Sequence, residues 1–316
     1  MFSPAENYFL VNYHYVRDFS EKYRGINSCQ LIEFEKQIKF LSGNFKVVLI
    51  SDVVTAAANG TADKFCAITF DDCLKDVYLN ATPILSKYNC QATLFPITSV
   101  FESRLPSVHK IHILLSNFSA EYLIGLFNDY LKKEHVELVN KYKIPKDRRI
   151  SQTLRLDDDV LTANFKETLT VAPYRLKNGF ADSCFKELKL DEKAVVKDFF
   201  MNQDEIKEMV SYGFKIGSHS HCHDNMANLS SYELKQDIYK SKEVLSGILG
   251  DKSKIESFSY PHGRWNKEVL NALVSQNFKY ALTIEERGIT KKDSYFLLPR
   301  YDTNSIRDYL NLSINI

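Results

Sequence analysis

The sequence predicts an α/β fold of parallel strands joined by helices, and three observations point there. The run Phe65-Cys66-Ala67-Ile68-Thr69-Phe70 is apolar, of strand length and without polar alternation, as a strand covered on both faces of a parallel sheet requires. The segments after it, DVYLNATPILSKY and QATLFPIT, read as helix and then strand, completing a strand–helix–strand unit. The same alternation returns beyond residue 200.

Taken in order, residues 8–16 (YFLVNYHYV) are aromatic and β-branched and predict a strand. Leu31, Phe34, Ile38 and Leu41 recur at helical spacing across 31–42. Val47 to Ile50 predicts a short strand, followed by the strand, helix and strand already described. Residues 104–200 are rich in Lys, Asp and Glu and contain helical stretches such as EYLIGLFNDYLKK and RLDDDVLTANFKETL. They predict a helical insertion or cap within a single domain spanning 1–316. Beyond it, NQDEIKEMVSYG predicts a helix stopped by Gly213, and FKIGS a short strand. SSYELKQDIYKSKEVLSGILG predicts a long helix capped by Ser230 or Ser231 and ended by Gly250. IESFSYP, NKEVLNALVSQNF and KYALTI then predict strand, helix and strand.

Composition narrows the function classes. There are 41 basic and 40 acidic residues in 316, a net charge of +1, so no global field draws the chain to nucleic acid or an anionic membrane. No apolar stretch is long enough to span a bilayer. The N-terminal sequence has no basic segment leading into a long apolar run, and a cytoplasmic location is expected. The six cysteines are scattered without a CxxC pair and predict free, mostly buried thiols.

Three short segments carry chemistry. Thr69-Phe70-Asp71-Asp72 places two adjacent carboxylates at a strand end, where α/β folds put their sites. Two neighbouring anions repel unless a cation or shared proton relieves them, although such a pair taken alone is more often a solvated acidic turn or helix N-cap. Ser218-His219-Ser220-His221-Cys222-His223-Asp224 holds three of the eight histidines within five residues. His219 and His223 lie four apart, so a helical turn would bring both to one face. With one carboxylate they would form an N2O ligand set that leaves a position open for water or substrate. Phe258-Ser259-Tyr260-Pro261-His262-Gly263 runs a strand into a Pro-x-Gly turn, a type of turn able to present a backbone N–H to an oxyanion.

Together, TFDD at 69–72, HSHCH at 219–223 and FSYPHG at 258–263 resemble the motifs of the polysaccharide deacetylase (NodB-homology) family, in the family's order. Asn12-Tyr13-His14-Tyr15-Val16 is similar to the YHxV opening of many members. The resemblance covers residues 8–100 and 200–305. It implies a distorted (β/α) barrel carrying the helical insertion. It implies that Asp71 is the general base, that Asp72, His219 and His223 bind a divalent ion, usually zinc, and that the backbone N–H of His262 helps form an oxyanion hole.

Several positions depart from the family's pattern. Cys73 stands where the family usually has Gly, with its thiol possible beside the metal. Ser259 replaces the usual Arg of the third motif and His262 its Tyr. No histidine follows His262, so the family's C-terminal general acid is missing. His14, His262 or Asp71 itself is left to protonate the leaving amine. Leu298-Pro299-Arg300 resembles the LPR ending of a related branch, and Arg300 is placed to order Asp71 by a charge-assisted hydrogen bond. His109 and His112 are expected on a partly exposed helix, with a second metal site as the alternative. Lys146-Asp147-Arg148-Arg149 is expected on the surface.

The expected function is removal of an acyl group from the nitrogen of an amino sugar, in a small intracellular intermediate rather than a polymer. An O-deacetylase, a deformylase, a non-sugar amidase and an inactive carbohydrate-binding module are the alternatives.

Overall fold

A computed structural model describes residues 2–23, 26–152, 158–251 and 254–314. The chain forms two compact units, one of residues 1–18, 28–104 and 193–316, the other of residues 19–27 and 105–192.

The first unit is built on parallel strands. β1 (Tyr8–Tyr13), β2 (Lys46–Val47), β3 (Phe65–Asp72), β4 (Ala92–Pro96), β5 (Lys215–Ile216) and β8 (Tyr301–Asp302) form one sheet, in the order β5-β4-β3-β1-β8, with β2 beside the start of β3. β6 (Ser257–Ser259) and β7 (Tyr280–Leu282) form a second, parallel pair. Two single parallel bridges, Ser218 to Phe258 and Leu282 to Leu298, join the sheets into a ring. The result is a distorted barrel, as the resemblance implies.

Side-chain alternation along β3 decides what faces where. Cys66, Ile68 and Phe70 pack outward into the main core with Tyr13, Phe34 and Ile38. Ala67 points the other way and packs with Leu10, Phe95, Leu282 and Leu298. The helix Ile50–Asn59 adds Ile50, Val53, Val54 and Ala57 to that second cluster. Apolar side chains thus fill one end of the barrel, as expected in barrels of this size. Thr69 and Asp71, next along the same face of β3, reach the strand ends.

Several boundaries differ from the sequence reading. The first strand's ladder stops at Tyr13. Only Lys46 and Val47 of the second are paired, because Ile50, Val53, Val54 and Ala57 share a helical face and Asp52 accepts the Leu49 N–H at 3.3 Å. The helix after β3 opens with a π turn over Val77–Ala81, next to Pro83, which has no N–H to give. A C-terminal helix, Thr303–Ile314, carries no signal that the sequence reading used. Gly250 ends the helix Ser231–Leu249 in the left-handed conformation, and Ser230 caps its start.

The described residues of the second unit contain only helices and turns, including Ser107–Asn117, Ala120–Glu134, Val160–Val171 and Tyr174–Glu187. Phe127 and Phe165 pack edge-on against Phe180. The buried Lys110 pairs with Asp182 at 2.6 Å and Glu192 at 3.0 Å. Residues 153–157, which include the first three residues of the predicted helical run RLDDDVLTANFKETL, lie outside the described residues. Among the described residues no helix is long and apolar enough to cross a membrane.

Candidate active site

The end of β3 separates the two carboxylates. Asp71 keeps strand geometry and faces the barrel interior, whereas Asp72 and Cys73 adopt φ of 66° and 61°. Left-handed conformations in non-glycine residues are strained, and such strain gathers at functional sites. The reversal sends neighbouring carboxylates to different surroundings.

Asp71 is buried in a polar cage. The Arg300 guanidinium grips it at two points, Nη1 to Oδ1 at 2.9 Å and Nη2 to Oδ2 at 2.8 Å. Asn12 Nδ2 donates to Oδ2 at 3.2 Å and Ser259 Oγ at 3.0 Å. Arg300 is 1% exposed. It also donates to Thr283 O at 3.0 Å, Asn12 Oδ1 at 2.9 Å and Ser259 Oγ at 2.9 Å. Burial alone would raise the Asp71 carboxyl. The Arg300 and His219 charges outweigh burial and hold it at about 2. Asp71 is therefore ionised at neutral pH.

Asp72, His219 and His223 converge beside it. His219 Nε2 lies 3.1 Å from His223 Nε2, and each is 3.6 Å from Asp72 Oδ1. All three residues are buried, and their ligand atoms fall within 4.8 Å of one another. His219 Nδ1 is 2.8 Å from Ser259 O. A carbonyl only accepts, so Nδ1 carries the proton and Nε2 presents its lone pair. This carbonyl-oriented tautomer is the usual second shell of a metal-ligating histidine. Burial lowers the His219 pKa, favouring the neutral form that binds metals. Two imidazole nitrogens and a carboxylate oxygen at these spacings fit a divalent cation.

The histidines do not meet on a helical turn, as their spacing predicted. Residues 218–225 form an extended loop, and Ser220 and His223 take φ of 68° and 59°. Those two reversals, not a 3.6-residue repeat, bring the rings together. His221 turns away and contacts Thr98 Oγ1 through Nδ1 at 2.9 Å. The loop is anchored on every side. His219 N donates to Pro96 O at 3.0 Å, and Ser99 N to His221 O at 2.9 Å. Asp237 accepts from His221 N and Cys222 N, both at 2.8 Å.

The remaining predicted positions divide. His262 is half-buried at φ 57°, its ring edge-on to His223 with centroids 4.7 Å apart. His14 is half-buried just after β1, close enough for its charge to bear on Asp71. Cys73 does not reach the cluster: its thiol packs in the main core, where burial pushes its pKa up. His109 is buried on the helix Ser107–Asn117 with His112 half-buried, their ring centroids 5.8 Å apart. Among the described residues, the Asp72 cluster is the one group of three or more metal-binding side chains, and it does not include His109 or His112. Lys146, Asp147 and Arg148 are exposed.

Sequence reasoning gave no role to Asn12, Ser259 or Asp237. Asn12 falls in the segment 12–16, and Ser259 stands where the family usually has Arg; neither carries a sequence signal for its hydrogen bond to Asp71. Asp237 sits on the buried face of the helix Ser231–Leu249, between Leu234 and Ser241, and nothing in the helical spacing marks it.

The family description "Polysaccharide deacetylase" matches residues 58–121 and 146–281. The chain belongs to this family. A poly-β-1,6-N-acetyl-D-glucosamine N-deacetylase of Staphylococcus aureus (strain MRSA252) is 31% identical over 203 residues, 59% of this chain and 69% of the relative. The Bacillus subtilis (strain 168) protein YxkH is 23% identical over 168 residues, and the chain spans 56% of its length. Among solved structures, the Streptococcus pyogenes deacetylase PplD, in complex with acetate, superposes with a TM-score of 0.60 at 17% identity over 98% of both chains. IcaB from Ammonifex degensii gives 0.57 at 16% identity, covering 96% of this chain and 97% of its own. These two solved structures share the fold described above.

Proposed function

We propose that the chain is a metal-dependent hydrolase that removes the acetyl group from the nitrogen of an amino sugar. The observation that carries this reading is the pairing of an ionised, doubly gripped Asp71 with the Asp72–His219–His223 cluster at the same strand ends. Asp72, His219 and His223 would hold the ion, and their N2O set suits zinc. A divalent cation there supplies Lewis acidity, polarising an acyl oxygen and lowering the pKa of a water.

The chain's own groups do the rest. Oδ2 of Asp71 already accepts from Arg300, Asn12 and Ser259, whereas Oδ1 accepts from Arg300 alone. Oδ1 therefore keeps a lone pair for the proton of the attacking water. Arg300 fixes that oxygen's direction and prevents Asp71 from swinging onto the metal ligands. The His262 backbone N–H is assigned to the developing oxyanion. His14, half-buried near Asp71, is assigned to protonate the leaving amine, with His262 or the proton held on Asp71 as the other donors.

The substrate class follows from the relatives. A named poly-β-1,6-N-acetyl-D-glucosamine N-deacetylase at 31% identity makes β-1,6-linked N-acetylglucosamine oligomers the first compounds to assay. Small N-acetylated sugar intermediates, favoured from the sequence, belong in the same panel. The six free thiols fit a reducing, cytoplasmic setting, and residues 104–200 are read as one insertion in a single domain.

Acetate release from both substrate classes, with and without chelator, tests the proposal. Release that stops on chelation and returns with zinc supports it. Release unaffected by chelation contradicts it. Ester cleavage without amide cleavage would move the reading to an O-deacetylase.

A further inference from the structure

The metal-ligand loop is bound to the helix Ser231–Leu249 through one buried carboxylate. Asp237 Oδ1 accepts the N–H of His221 and Oδ2 that of Cys222, each at 2.8 Å. These are the two residues between Ser220 and His223, the loop's two left-handed positions. One turn along the helix, Ser241 Oγ meets Ser218 Oγ at 2.8 Å, just before ligand His219. Ser220 Oγ then accepts the His223 N–H at 2.9 Å. Successive N–H groups in such a turn form a concave donor pair that an anion fills. A carboxylate fills it with both oxygens at fixed spacing. An amide of the same shape offers one acceptor and turns an NH2 against the second N–H.

We infer that Asp237 is a positioning residue for the metal site: its carboxylate holds the 220–223 loop in the conformation that brings His219 and His223 together before any ion arrives. This rests on the metal-site reading above. Asp237 acts through the two residues between the ligands: the backbone N–H groups of His221 and Cys222 and the Cys222 thiol.

Cobalt(II) binding tests it, because the visible spectrum of cobalt reports ligand geometry independently of turnover. Asp237→Asn should weaken cobalt binding about tenfold or more, the usual effect of losing an outer-shell partner, and should change the absorption band. Leu245→Ala, which removes a fully buried core side chain from the same helix, should lower thermal stability while leaving cobalt affinity and spectrum unchanged. Wild-type affinity and spectrum in Asp237→Asn would overturn the inference. So would equal weakening in both variants, which would mark a merely structural role. Should Asp237→Asn fail to fold, amide hydrogen exchange of the metal-free wild type decides the question. Slow exchange at residues 221 and 222 supports the clamp, and free exchange refutes it. A wild-type chain that binds no cobalt would instead bring down the metal-site reading, and this inference with it.

Discussion

Asp71 and Asp72 are chemically alike, and the backbone reversal after Asp71 gives them different partners. Asp71 faces one guanidinium, and Asp72 faces two imidazoles. Different substitutions should therefore have different effects. Asp71→Asn should lower kcat by at least about 100-fold while zinc content, measured by atomic absorption, stays at the wild-type level. Loss of both together would place Asp71 in the metal site rather than beside it. Arg300→Met leaves a buried carboxylate without its cation. It should cost about 3–5 kcal/mol of stability in urea unfolding at neutral pH. The motif residues were legible because their types and order are unusual. Arg300 was legible too, through the LPR ending, but the rest of the cage around Asp71 was not, because Asn12 and Ser259 lie on distant strands that only closure of the barrel gathers.

At the scale of elements, the loop from Gly217 to His223 determines the site. A Cβ on Gly217 would overlap the Phe95 ring and the Ser257 hydroxyl. Gly217→Ala should destabilise the fold by about 1–3 kcal/mol through overpacking, read as a lower urea midpoint. His221 gives the same loop a pH dependence. Burial, reinforced by the Lys240 charge, pushes its pKa down from 6.5 to about 4. Between those values the unfolded chain binds the proton and the folded chain does not, so this group's contribution to stability is lost as pH falls from about 6.5 to 4. His221→Asn in metal-free protein should flatten the stability profile over that window. An unchanged slope would show that His221 does not titrate as described. Helix periodicity and caps were readable, as Ser230 and Gly250 show. Loop conformation was not: spacing of four is shared by a helical turn and by a loop with two left-handed residues.

For the molecule as a whole, the alternation of apolar runs and amphipathic segments was enough for the α/β class. The ring's closure was not, because it depends on the lone bridges Ser218 to Phe258 and Leu282 to Leu298, which leave no periodic trace. Nor was the role of Ile50–Asn59 in filling the barrel's apolar end, since Ile50 reads as the end of a strand and the rest carried no helical prediction. The parallel strands direct their C-terminal ends to one place, where Asp71, Asp72 and His219 meet, and the Arg300 side chain reaches in from just before β8. A metal bound only by the folded barrel must stabilise it. Adding zinc to stripped protein at 100 times its Kd should therefore contribute about 2.7 kcal/mol, seen as a higher Tm. The most direct test is calorimetric titration of the metal-stripped chain with zinc, alongside His219→Ala and His223→Ala. The account predicts one saturable site per chain in the wild type, abolished in either variant. Wild-type binding that survives both substitutions, or no binding in the wild type, would contradict it.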